Sequence, residues 1–278
     1  MGTFVGAFAA SHGPLIVRDW DKLPALAQDR LTRNFRELGR RIAATHPDIL
    51  VVVSPDHWVN FFLNNLPAVC IGVGDENDGP PEPFMTKFPY RTLPGDAAFG
   101  QHMLRSALEH GFDPSASYRL TLDHGFCIPL WRAELPTMPR IVPVIINALQ
   151  EPMPTVERSL RIGRMIAAAA ASYPSDVRIA VLGTGGLSHS IGEPTMGDID
   201  EAFDRAALEA LRGHDDKKVA ATIAEALMHA GNGSHEVRCW VVAHGAAGAS
   251  NFDLIDYFAC PEVYVGCAFG SWEPALAS

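Results

Sequence analysis

The chain has 278 residues, 47% of them hydrophobic, which is enough to bury the core of one large α/β domain or of two smaller ones. Its formal net charge of −10 argues against a nucleic-acid binder, which needs a basic face. No hydrophobic run reaches the length of a membrane span, and five dispersed cysteines without a Cys-x-x-Cys pair suit reduced, buried thiols in a cytoplasmic protein.

An apolar strand is expected at 3–9; no basic residue precedes it, so it does not read as a signal peptide. Leu31, Phe35, Leu38 and Ile42 recur at helical spacing and predict an amphipathic helix over 29–45. The β-branched run at 49–53 reads as a fully buried strand, and 68–73 as another. Residues 74–94 are rich in Gly, Pro and acidic side chains and read as a long surface loop, a lid or a partner-facing excursion. A helix is expected at 96–109, a strand at 140–146, and a helix with an Ala-rich face at 155–172, stopped by Pro174. The strand at 178–182 runs into Gly183-Thr184-Gly185-Gly186, which reads as a tight turn. Its spacing fails the dinucleotide fingerprint and no Walker lysine follows. Two or three helices follow between 199 and 248, broken near Gly213 and at Gly231-Asn232-Gly233, and a last strand is expected at 263–269. Strands alternating with helices predict an α/β fold: a single layered domain spanning 1–278, with a central mostly parallel or mixed sheet flanked by helices.

Four histidines stand in short, unusual contexts: Ser11-His12-Gly13-Pro14, Asp56-His57-Trp58, Asp123-His124-Gly125 and Ser188-His189-Ser190. Each closes a segment that reads as a buried strand, so each is expected to project from a strand end into one cleft, where ligands bind in such sheets. With the Glu236 carboxylate they supply donors for one metal and leave imidazoles over for proton transfer. Two histidines and one carboxylate leave positions open on a metal, a set that suits non-haem Fe(II) enzymes.

In these segments the sequence resembles the class III extradiol ring-cleaving dioxygenases, the group that includes the protocatechuate 4,5-dioxygenase β subunit and 2,3-dihydroxyphenylpropionate dioxygenase. The resemblance rests on residues 10–15, on Pro55-Asp56-His57 ahead of 66–72, on 122–130, on 183–189, and on Glu236 ahead of Trp240, in the family's order. It implies that His12, His57 and Glu236 ligate Fe(II), that His189 takes a proton from a bound aromatic diol, and that His124 is the second acid/base group. It also implies O2 as co-substrate, and a homo-oligomer with or without a small helical partner subunit. His235 precedes Glu236 directly; neighbours on a helix point about 100° apart, so only one of the two is expected at a metal. The other histidines (His46, His102, His110, His214, His229, His244) receive no role. Arg18, Ser190 and Tyr264 are candidates to hold a ring substituent, and Trp58, Phe61 and Phe62 are core or pocket wall. Two other readings stay open: a zinc-dependent hydrolase using the same donors, and a non-catalytic binding protein of the same fold.

Overall fold

A computed structural model describes residues 1–273; the expected domain's residues 274–278 lie outside the described residues. The strands are β1 (Thr3–Ala10), β2 (Ile49–Ser54), β3 (Val69–Gly72), β4 (Glu76–Asp78), β5 (Thr92–Pro94), β6 (Ser115–Ser117), β7 (Arg140–Ile146), β8 (Arg178–Thr184), β9 (Asn251–Cys260) and β10 (Val265–Glu273). The helices are α1 (Leu15–Arg18), α2 (Ala25–Ala44), α3 (Ala97–Glu109), α4 (His124–Arg132), α5 (Val156–Ser172), α6 (Glu201–Ala210), α7 (Asp216–Leu227) and α8 (Val237–Ala247).

Eight strands form one mixed sheet in the order β6-β3-β7-β2-β8-β1-β10-β9. Its centre, β7-β2-β8-β1, is parallel, and antiparallel β3 and β10 flank it. These central strands are apolar along nearly their whole length because both faces are covered. Side chains alternate between two cores. Ala7, Ala9, Val51 and Val53 face α3, α5 and α8, whereas Phe8, Ala10, Leu50 and Val52 face α2 and α4. The mixed, helix-covered sheet is the expected architecture. Strand β7 has the expected bounds, and α2 begins four residues earlier than its spacing suggested, behind Pro24.

Three expectations need adjustment. Residues 74–94 are largely exposed, as expected of a surface loop, but they are anchored: β4 and β5 pair into a hairpin, and Met85, Phe88 and Leu93 are buried against the α2/α4 core. His124 does not close a strand. It is the first residue of α4, which Asp123 caps by accepting from Gly125 N at 2.8 Å. The expected last strand is present but runs from Val265 to Glu273, after a 3-10 turn at Pro261–Val263, and it pairs with β9, for which no strand was expected.

Helices α5 and α8 lie against one another with almost no side chain between them. A Cβ on Gly163 would sit 2.1 Å from the Val242 carbonyl oxygen, and one on Gly245 would sit 2.2 Å from that of Leu160. Every residue of α8 is buried, so this helix cannot shift outward to make room. Gly163→Ala is therefore expected to destabilise the fold by about 1–3 kcal/mol, the range for overpacking. Chemical denaturation measures this, and an unchanged midpoint would contradict the close helix contact.

Candidate metal and proton-transfer site

Parallel register brings the chain segments of the site together. Ala10 at the end of β1 pairs with Thr184 at the end of β8, and Val53 of β2 pairs with Gly183. Three strands thus end side by side at one edge of the sheet. His12 follows β1 by two residues, His57 follows β2 by three, and His189 follows β8 by five. Glu236 enters from the other side of the cleft, at the end of a 3-10 turn running into α8. His124 arrives on α4. All five line one cavity of about 480 Å³.

The Glu236 carboxylate is the hub and is 1% exposed. Its Oε2 lies 3.3 Å from His12 Nε2, and its Oε1 lies 3.2 Å from His57 Nε2 and 3.8 Å from His189 Nε2. Gly186 N donates to Oε2 at 2.7 Å and fixes the carboxyl group. Gly185 makes the approach possible: it has φ +122°, and a Cβ there would stand 2.8 Å from both Glu236 Cβ and Oε2. Burial disfavours the Glu236 carboxylate, but His12 and His189 outweigh it and hold its pKa well below the usual carboxylate range.

Neighbouring acceptors decide which imidazole nitrogen carries the proton. The Thr184 hydroxyl donates to Val53 O at 3.3 Å, so it accepts from His12 Nδ1 at 3.2 Å. His57 Nδ1 donates to Asp123 Oδ2 at 3.1 Å, and the His57 backbone N donates to the same oxygen at 2.8 Å. His189 Nδ1 donates to Leu187 O at 3.0 Å. In all three rings Nδ1 is occupied and Nε2 is turned toward Glu236. His12 Nε2 is buried and has no hydrogen-bond partner, although a carboxylate oxygen stands 3.3 Å away. The Nε2 atoms of His12 and His57 converging on a buried carboxylate are a donor set that fits a divalent cation, which would displace the Nε2 proton of His57. Burial lowers the His12 pKa. At His57 burial acts in the same direction, but Asp123 and Glu236 outweigh it and push its pKa up to about 10.

His124 belongs to the same cluster. A ring nitrogen of each of His12, His57 and His124 lies within 4.8 Å of the others, and the His57 and His124 ring centroids are 4.1 Å apart. Its Nδ1 donates to Glu82 Oε1 at 2.8 Å, a partner contributed by residues 74–94. His235 faces away: its Nδ1 accepts from Arg238 Nη1 at 2.7 Å, which leaves Glu236 as the member of that pair in the cavity.

Arg18, Ser190, Tyr264 and Trp58 line the cavity. Phe61 packs against the α2/α4 core and Phe62 is exposed, and neither lines this cavity. Asp56 shapes the turn that presents His57, accepting from the backbone N of Val59, Asn60 and Phe61. Asp123, Thr184 and Glu82 were not expected at the site. Asp123 carries a signal that a sequence can show, an N-cap aspartate three residues before the apolar run of α4. Thr184 and Glu82 act only through contacts far along the chain.

Behind His189, the buried Asp204 accepts from Ser188 N at 2.7 Å, Ser188 Oγ at 2.8 Å and Tyr257 OH at 2.9 Å, tying the His189 segment to α6 and β9. Burial pushes the Asp204 pKa up to about 6, against these hydrogen bonds. Because the folded pKa exceeds the unfolded value, this proton stabilises the fold fully below about pH 4, and the contribution is lost as pH rises through about 6. The unfolding free energy of the wild type relative to Asp204→Asn should therefore fall between those values, by ~1.4 kcal/mol for each tenfold drop in proton concentration. A difference that stays flat with pH in urea denaturation would contradict the burial of this carboxyl group.

The family model for the catalytic LigB subunit of aromatic ring-opening dioxygenase matches residues 6–265. A 2,3-dihydroxyphenylpropionate/2,3-dihydroxicinnamic acid 1,2-dioxygenase of Photorhabdus laumondii is 31% identical over 202 residues, covering 70% of this chain and 59% of that relative's length. The enzyme of the same name from Rhodococcus sp is 27% identical over 292 residues, covering 88% of this chain and 90% of its own. The solved structure of the uncharacterized protein JW3007 from Escherichia coli K12 shares the fold with a TM-score of 0.65 at 15% identity, over 96% of this chain and 99% of that one. With the family match running across the sheet and every residue of the histidine–glutamate cluster, the chain belongs to the family of the catalytic LigB subunit of aromatic ring-opening dioxygenases.

Proposed function

We propose that the chain, as one catalytic domain, is an Fe(II)-dependent extradiol dioxygenase that opens the ring of a catechol-like or hydroxylated heteroaromatic diol with O2, in the breakdown of aromatic compounds. The observation that carries this reading is the buried Glu236 carboxylate at 3.2–3.3 Å from the Nε2 atoms of His12 and His57, beside two further imidazoles. His12, His57 and Glu236 would hold the iron. When bound, Fe(II) supplies Lewis acidity toward the diol oxygens and electron exchange with dioxygen.

The chain's own groups divide the remaining work. His189 presents Nε2 to the cavity because Leu187 O holds its Nδ1 proton, so Nε2 is the atom that takes a proton from a diol hydroxyl. His124 stands on the far side of the cluster, against His57, and is the second acid/base group. Leu15, Leu149, Ile191, Met196 and Val263 give the cavity apolar walls that hold an aromatic ring and exclude water. Arg18, Ser190 and Tyr264 stand where a polar ring substituent can be held. The names of the relatives specify diols with a propionate or related acid arm, and a substrate of that class suits a wall containing an arginine. The working form proposed is a cytoplasmic homo-oligomer, alone or with a small helical subunit. No helix among the described residues is long and apolar enough to cross a membrane.

The division of roles is tested by two variants prepared anaerobically with Fe(II). His189→Ala is expected to keep its iron and lose ring cleavage by roughly 10²–10⁴-fold, the range for a general base. Glu236→Ala is expected to lose the iron itself. Iron lost from the first variant and retained by the second would overturn the assignment.

A further inference from the structure

We propose that Glu82 is a positioning residue for His124, setting both the orientation and the tautomer of that ring; the proposal rests on the reading of His124 as an acid/base group. Glu82 comes from the segment 74–94, far in sequence from every other member of the site. Its Oε1 accepts from two atoms of one residue, the His124 backbone N at 2.9 Å and ring Nδ1 at 2.8 Å. A carboxylate only accepts, so Nδ1 carries the proton and Nε2 is the nitrogen left for the cavity. Among the described residues no other side chain hydrogen-bonds to this ring.

The carboxylate is held by its own surroundings. Just after Glu82, Pro83–Met85 form a 3-10 turn, Met85 and Phe88 are buried, and the Phe84 ring lies 6.0 Å from that of His124. On the preceding side, Asp78 N donates to Leu120 O and Leu122 N to Asp78 O, both within a few residues of His124. The other carboxylate oxygen, Oε2, is buried without a partner. A half-satisfied buried carboxylate lowers stability, and capping α4 does not require it, because Asp123 already caps that helix. A role in aiming His124 accounts for its place there.

An imidazole without this partner can rotate about its side-chain bonds and exchange its proton between nitrogens, so only a fraction of molecules would present the reactive nitrogen. A misplaced catalytic group costs roughly 10²-fold in rate. The loss should fall on kcat, because Glu82 does not line the cavity and its hydrogen bonds go to His124 and not to a proposed iron ligand.

The test compares Glu82→Ala, Glu82→Gln, His124→Ala and the double variant Glu82→Ala/His124→Ala, each loaded with Fe(II) and assayed for iron content, kcat and KM. Glu82→Ala should keep its iron and KM within about threefold and lose kcat by roughly 10²-fold. Glu82→Gln, whose amide oxygen still accepts from Nδ1, should recover most of it. In the His124→Ala background, Glu82→Ala should have no further effect. Independently of activity, ¹⁵N spectra of the metal-free protein should show His124 as the Nδ1–H tautomer in the wild type and as a mixture in Glu82→Ala. Wild-type kcat in Glu82→Ala, or an equal loss with and without His124, would overturn the proposal and leave the role of His124 standing. Wild-type kcat in His124→Ala would overturn the acid/base reading of His124, and this proposal with it.

Discussion

The structure is organised around one buried negative charge. A carboxylate removed from water is penalised by several kcal/mol unless it is paired and hydrogen-bonded. Glu236 meets that requirement only with Gly186 N on one oxygen and three imidazoles within 3.8 Å. Those imidazoles come from the ends of β1, β2 and β8, so the pairing depends on the parallel register of the sheet centre. It depends as well on α8, which directly follows Glu236 and is buried along its full length against α5 and the sheet. Displacing any of these parts would leave a carboxylate or an imidazole nitrogen stranded away from water.

A second layer of acceptors fixes each imidazole separately. Thr184, Asp123, Leu187 O and Glu82 each accept a hydrogen bond from one Nδ1. The rings thereby turn their Nε2 atoms inward, as the proposed ligand and acid/base roles require. The fold places these acceptors on separate elements: a strand end, a helix cap, a turn and a hairpin loop. Each ring is therefore fixed by a different part of the chain, as the proposed division between metal ligands and acid/base groups requires.

Much of this was legible in the sequence. β7 carries an apolar run between clear breakers, and α5 a helical period stopped by a proline, so both were readable from local signals. The five expected residues stood out through their short contexts and through the family resemblance those segments carry, and the structure brings all five to one cavity. What escaped was nonlocal or locally contradictory. Pro129 inside α4 hides a helix that Asp123 starts. β9 lacks a clean alternation, because its Asp253 and Asp256 are held by Arg41 and Arg30 of α2 and do not simply face water. Glu82 lies in a stretch whose composition reads as loop, and only its approach to His124 gives it meaning.

The most direct test of the account is the oxygen electrode. Protein purified anaerobically and loaded with Fe(II) would be mixed with a panel of aromatic diols, and O2 uptake compared with the yield of ring-opened product. The account predicts uptake that requires Fe(II), is not supported by Zn(II), and consumes one O2 for each diol opened. Tight zinc binding with no uptake on any diol would contradict it and favour hydrolytic chemistry at the same donors.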